Sequence, residues 1–292
     1  MKTKKKPITL NTLAEKCWHK FWETSKSPDS HKSNLKKVVS SLGGRLKITE
    51  ITTDLLEIVC DRWIKEGASK KTCNRRLAVV SKMLTMACQR GWLKNKPHIE
   101  RFAETEGRKR WATIEEEDQM VKLLNESGQT LLASLVIVMA DTGMRRGEAL
   151  ALSWSDVDIE KGWIRCWENK ADKPRSIPMT SRVHELLGST SSAPGVEWLN
   201  DQKGPFTSVT PTTFAHHWNK CKAKMGLQGD SQFTPHCLRH ACASRLVQAG
   251  VPLFTVKEFL GHKKIESTLV YAHLAPQNLQ EACKVLEQRR ET

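Results

Sequence analysis

Tyrosine is almost missing from this chain: one phenol, Tyr271, stands against ten Trp and seven Phe in 292 residues. Aromatic side chains in general were not avoided, so the lone phenol invites a chemical reading beside the ordinary one of a half-buried core residue. Long apolar runs are missing too. The longest, Leu131 to Ala140, is too short to span a bilayer and reads as a buried helix. The basic start Met1-Lys2-Thr3-Lys4-Lys5-Lys6 leads into no continuous hydrophobic segment, so no secretory leader is visible and a cytoplasmic location is expected. The nine cysteines are odd in number and show no Cys-x-x-Cys spacing, which fits reduced thiols rather than a disulfide frame or zinc ribbon. His236 and His240 stand four apart. Cys237, Leu238 and Arg239 fill the places where a zinc hydrolase needs a glutamate, so no metal is expected. Neither an internal repeat nor a low-complexity tract is found.

Positive charge is abundant, and it is uneven. The formal net charge is +15, yet residues 1–100 alone hold 22 Lys and Arg against 9 Asp and Glu. The other 192 residues are nearly balanced, with 25 basic against 23 acidic side chains. A basic segment beside a near-neutral one points to a polyanion-gripping module joined to something else. The length also exceeds what one compact core usually holds, so two domains are expected.

Periodicity supports that division. Helical spacing of apolar residues predicts helices over 8–22, 34–42, 52–65 and 71–90, with a polar gap at 25–33. These four make a helical bundle with a basic exterior, assigned to 1–96. Residues 97–112 lose periodicity and form the linker. Thr113 to Glu116 then offers a capping box that opens a second domain over 113–292. Helices follow over 115–124 and 130–140. Two strands at 162–167 and 175–179 flank a polar turn, and further helices lie near 211–225, 236–249, 252–260, 267–274 and 276–288. The expected class is mainly α with a small antiparallel β-sheet.

Four segments carry charged or titrating groups where a turn or helix start would present them. They are Asp141-Thr142-Gly143-Met144-Arg145-Arg146-Gly147-Glu148, Lys170 on the hairpin, His236-Cys237-Leu238-Arg239, and Gly261-His262 ahead of Tyr271. Each has an ordinary explanation alone: a surface ion pair for Arg145 and Glu148, a solvated turn lysine for Lys170, satisfied core histidines for His236 and His262. Together they supply what a phosphoryl transfer needs. Guanidinium forks match the oxygens of a phosphorane, a phenol can attack phosphorus, and histidine can move the proton. An unaided phenol of pKa about 10 is short of its ionised form by about 4 kcal/mol at pH 7.

The joint pattern resembles the tyrosine recombinase (phage integrase) family. It is carried by Thr142-Gly143-Met144-Arg145 through Glu148, Lys170, His236-x-x-Arg239-His240, Leu260-Gly261-His262 and Tyr271-Ala272-His273. A looser likeness, Thr72 to Leu77 through Gly91-Trp92-Leu93, is to the SAM-like core-binding domain of integrases. The resemblance implies that Arg145 and Arg239 clamp the scissile phosphate and that Tyr271 attacks it to form a 3′-phosphotyrosyl link. It implies that Lys170 protonates the leaving 5′-oxygen, with Lys173 as the alternative in a hairpin of variable length. His236 would exchange a proton with the nucleophile, His262 would hydrogen-bond the phosphate, and Glu148 would orient its neighbours. His240, His216 and His217 receive no role. Lys70, Lys71, Arg75 and Arg76, with Arg108 and Arg110 of the linker, are candidates for gripping DNA phosphates, a solvated basic face being the alternative.

No cofactor is implied, neither metal nor nucleotide. The implied partner is double-stranded DNA carrying core recombination sites, enclosed between the two domains, with four protomers acting together and an accessory DNA-bending protein as a further partner. The amphipathic stripe Leu279, Ala282, Cys283 and Leu286 would dock on a neighbouring protomer. The chain starts almost directly with the bundle, so a separate arm-site domain is expected to be missing. Integration or excision of a phage or mobile element is the expected role. Alternatives are a chromosome-resolving or inverting recombinase, a type IB topoisomerase, and a DNA-binding protein that keeps the fold without cutting.

Overall fold

A computed structural model describes residues 8–25, 27–103, 110–167, 174–191 and 204–276. The chain divides into two compact units, Met1–Gly107 and Arg108–Thr292.

The first unit is all helical. Helix α1 (Leu10–Cys17) starts on Thr9, whose hydroxyl accepts from the Thr12 amide, and runs into a π-helical turn over Trp18–Trp22. Helix α2 covers Pro28–Leu42, α3 Thr53–Lys65 and α4 Lys70–Gln89. Helix α2 begins inside the stretch expected to be a polar gap. Pro28 sits at its first turn, where no backbone donor is lost, and Asp29 faces the positive end of the helix dipole. Leu13, Cys17, Val38, Trp63, Met83 and Leu84 fill the core. The segment after α4 packs on this core through Ile99 and Phe102. The Asn74 amide fastens it, donating to Phe102 O (2.9 Å) and accepting from Phe102 N (3.0 Å). The start of the 97–112 segment therefore belongs physically to the first unit.

The second unit is built round α6 (Thr130–Thr142), whose sequence TLLASLVIVMADT is apolar on nearly every side and is buried accordingly. Helix α5 (Ile114–Glu126) begins with the expected capping box: Thr113 Oγ1 accepts from Glu116 N, and Glu116 accepts from Thr113 N. After α6 come a short helix α7 (Arg146–Leu150) and a three-stranded antiparallel sheet. Its strands are β1 (Val157–Asp158), β2 (Trp163–Cys166) and β3 (Arg175–Pro178), in the order β1-β2-β3. The β2–β3 register pairs Ile164 with Ile177 and Cys166 with Arg175. Strand β1 was not foreseen, because two residues carry no period.

Helix α8 (Ser181–Ser191) was not foreseen either. Its signal was present: Thr180 Oγ1 accepts from the Val183 amide as a cap, and Val183 and Leu187 enter the core. Helices α9 (Pro211–Lys224), α10 (His236–Gln248), α11 (Leu253–Leu260) and α12 (Glu266–Leu269) follow, then a 3-10 turn over Ala272–Leu274. The single helix expected over 267–274 is thus broken at Tyr271. Among the described residues no helix is long and apolar enough to cross a membrane.

Candidate active site

Helix α6 delivers the first group. It ends on Gly143, which adopts the left-handed conformation (φ 62°), and a Cβ there would lie 2.5 Å from Leu260 Cδ2. The chain turns at once, Met144 is buried, and Arg145 becomes the N-cap of α7. Glu148 reaches back to Arg145 twice, accepting from the backbone N (2.9 Å) and from Nη1 (2.9 Å). Its second neighbour is Arg175 of β3, whose Nη2 donates to Glu148 Oε2 at 2.8 Å. Burial pushes the Glu148 carboxyl up, but the Arg175 hydrogen bond and charge, helped by Arg145, overcome this and hold it at about 2. One buried carboxylate therefore fixes two arginines, and Arg145 keeps 34% of its side chain exposed toward solvent.

Helix α10 presents His236, Arg239 and His240 on one face, as spacings of three and four require. Arg239 is 2% exposed. Nη1 donates to Gly143 O and Nη2 to Leu260 O, both at 2.7 Å, so this guanidinium stitches the α6–α7 turn to the end of α11. Helix α11 ends on Gly261, also left-handed (φ 67°), and His262 follows with its amide on Lys257 O. The His262 ring is oriented by Thr268, Nδ1 to Oγ1 2.8 Å.

Tyr271 lies 3% exposed against α10. Its hydroxyl is hydrogen-bonded to His240 Nδ1. The His236 ring meets the His240 ring edge-on, with centroids 4.6 Å apart. Burial raises the phenol to about 12 even though the Arg239 charge lowers it. The nucleophile candidate is therefore sheltered and protonated, not poised.

Of the six residues given catalytic roles, Arg145, His236, Arg239, His262 and Tyr271 fall in this one network, and Glu148 with them. Lys170 and Lys173 lie outside the described residues, as do Arg108 and the tail at 277–292. Two participants were missed. His240, given no role, is hydrogen-bonded to the Tyr271 hydroxyl; its signal was its place directly after Arg239 and one turn beyond His236. The sequence marks Arg175 only as the start of a strand.

Arg110, a candidate for DNA phosphates, has its guanidinium on Asp230 (2.8 Å) and Glu116 (2.5 Å) and over the Phe233 ring. In the first unit Lys70, Lys71 and Arg75 are exposed on the first turns of α4. Arg76 differs: its guanidinium lies 5.0 Å over the Trp63 ring, and Nε and Nη1 are buried. Beside the network, Cys237 and Cys242 are buried, and burial raises both thiols to about 12, which keeps them protonated and unreactive. Among the described residues no group of three or more His, Cys, Asp or Glu is placed to hold a metal ion.

The model of the phage integrase family matches residues 110–278. The chain is 33% identical over 178 residues to a tyrosine recombinase XerC of Herpetosiphon aurantiacus, covering 56% of this chain and 55% of that protein. It is 32% identical over 146 residues to a tyrosine recombinase XerD of Neisseria meningitidis, covering 49% and 50%. It spans about half the length of these two relatives. Similarity to the integrase of Escherichia phage P2 is lower but longer: 27% over 289 residues, 95% of this chain and 78% of that one. Among solved structures, the Tn1549 transposon integrase in complex with a circular intermediate DNA superposes with a TM-score of 0.75 at 17% identity, covering 96% and 99%. A lambda integrase tetramer bound to a Holliday junction gives 0.71 at 19%, covering 88% and 78%. At these identities the structural likeness is one of fold.

Proposed function

Because the chain belongs to the phage integrase family, we propose that it is a site-specific DNA recombinase working through a 3′-phosphotyrosyl intermediate. The observation that carries this reading is the lone tyrosine hydrogen-bonded to a histidine of the same helix turn that bears Arg239. In the proposed step, Tyr271 Oη attacks phosphorus as its proton leaves, and the bond from phosphorus to the 5′-oxygen breaks. That oxygen takes a proton from Lys170, or from Lys173. Arg145 and Arg239 offset the charge on the non-bridging oxygens, with His262 as a further donor. The phosphotyrosyl ester conserves the diester for religation by the reverse path, so no nucleotide enters.

His240 Nδ1, hydrogen-bonded to the phenol, accepts its proton in the tautomer that leaves this nitrogen bare, and His236 packs edge-on against that ring. A phenol held at about 12 is short of its ionised form by about 7 kcal/mol at pH 7. Attack from the sheltered position is thus disfavoured, and binding of DNA is proposed to draw the segment after α12 outward. A nicked suicide duplex tests the reading. Wild type should accumulate a covalent adduct, Tyr271→Phe should form none, and absence of adduct from wild type on its own site would favour a binding protein that does not cut.

Similarity to the P2 integrase over nearly the whole chain supports a role in moving a phage or other mobile element, with chromosome resolution as the alternative. Double-stranded DNA is the proposed partner, bound in part through Lys70, Lys71 and Arg75, with assembly to a tetramer through the tail. Truncation after Ala275 should weaken pairing of two sites and leave single-site binding intact; unaltered pairing would remove the tail from the proposal.

A further inference from the structure

We propose that Arg175 is a positioning residue for this site, a buried guanidinium that ties the Arg145–Glu148 corner to the Gly261–His262 turn through the base of the β2–β3 hairpin. Arg175 pairs with Cys166 in the last described rung of the hairpin ladder, and its side chain is 7% exposed. Three contacts define it. Nη2 donates to Glu148 Oε2 at 2.8 Å, and Nε donates to Phe259 O at 3.1 Å. The side chain also lies flat against Gly261: a Cβ there would stand 2.7 Å from Arg175 Cδ and 2.9 Å from Nη1.

Neutralising Glu148 does not require the last two contacts, since Arg145 already pairs with that carboxylate. They become intelligible at the end of α11. The carbonyls of Phe259 and Leu260 have no partner further along the helix and carry the negative end of its dipole. Arg175 takes the first and Arg239 the second. Two buried arginines thus cap the helix that delivers His262, and one of them also holds the carboxylate that orients Arg145. Gly261 is glycine for two reasons: its positive φ, and the guanidinium lying where a side chain would begin. A shift of the hairpin base accordingly reaches both turns through one rigid planar group.

The expected effect on strand cleavage rests on the recombinase reading; the mechanical tie does not. Arg175→Ala, Arg175→Lys and Gly261→Ala are to be compared with wild type in the full chain. Hydrogen exchange should quicken about tenfold or more at the amides of Arg145, Gly261 and His262 in Arg175→Ala, while α5 amides keep their protection. On saturating nicked duplex the rate of adduct formation should fall about a hundredfold with DNA affinity held within about twofold, the signature of misplacement rather than lost binding. Arg175→Lys, which keeps a charge for Glu148, should recover part of that rate. Gly261→Ala should lower the melting temperature less in the Arg175→Ala background than in wild type, because the colliding group is gone. Unchanged exchange at the three amides, or equal Gly261→Ala effects in both backgrounds, would overturn the tie. If Arg175→Ala does not fold, exchange in Arg175→Lys decides, since loss of the Phe259 bond alone should loosen Gly261 and His262. Wild type that forms no adduct would strike the recombinase reading and leave the exchange and melting arms to decide on Arg175.

Discussion

At the scale of single residues, the lone phenol is also a convenient reporter, because tyrosinate absorbance in this chain can only come from Tyr271. An ordinary phenol ionises near pH 10, and burial holds this one at about 12. The folded state thus binds the phenolic proton more tightly than the unfolded chain does. The stability this contributes, on the order of 3 kcal/mol, is complete below about pH 10 and is lost as pH rises through about 12. Spectrophotometric titration of the free protein should show tyrosinate appearing late, at a midpoint well above that of the denatured chain. Addition of its DNA site should move the midpoint down, because exposure beside Arg145 and Arg239 favours the phenolate. An ordinary midpoint in the free protein would contradict the sheltered phenol. Which residues gather in the candidate site was largely legible, because two histidines, two arginines and a tyrosine at motif spacing carry their chemistry in their identity. What spacing does not report is partner choice. The contact of Tyr271 with His240 arises between segments 31 residues apart, and the meeting of Arg175 with Phe259 spans 84; neither leaves a local signature.

At the scale of elements, the two left-handed glycines set the site more than any helix propensity does. Gly143 ends α6 where its Cβ would fall on Leu260 Cδ2 and within 3.2 Å of Cys242 Sγ. Gly143→Ala therefore combines a strained φ with overpacking and should cost about 1–3 kcal/mol of stability, read as a lower denaturant midpoint. Adduct formation should drop further than the folded fraction, since Arg145 follows two residues later. An unshifted midpoint would show that the turn accommodates a methyl group freely. The long helices were legible for the same physical reason that they are stable: α3, α4 and α5 carry apolar residues at helical spacing after capping hydroxyls, and α6 is a continuous apolar run ended by Gly143. Helix α2 and helix α8 were obscured by composition. Polar residues crowd the start of one and most of the other, and only Pro28 and Thr180 marked their first turns. The break at Tyr271 was hidden by an apparently continuous helical pattern, in which α12 ends at Leu269 and a 3-10 turn follows Tyr271.

At the scale of the whole chain, the charge surplus sits in the first hundred residues, and the structure separates exposed cations from those held in ion pairs. Lys70, Lys71 and Arg75 are exposed at the start of α4, whose first turn holds no acidic residue. Arg110 is equally basic in composition but is locked between Glu116 and Asp230. Counterion release makes the distinction measurable, since each phosphate neutralised adds about 0.9 to the slope of log affinity against log salt on duplex DNA. If all three exposed residues contact phosphates, replacing Lys70, Lys71 and Arg75 together by alanine should flatten that slope by nearly three, about equally for specific and unrelated sequences. Arg110→Ala should lower stability, because Glu116 and Asp230 lose their shared cation, while the slope stays as in wild type. A triple variant with an unaltered slope would show that the surplus charge of the first unit meets DNA elsewhere, or does not meet it at all. A flattened slope in Arg110→Ala would mean that its two ion pairs open when DNA arrives.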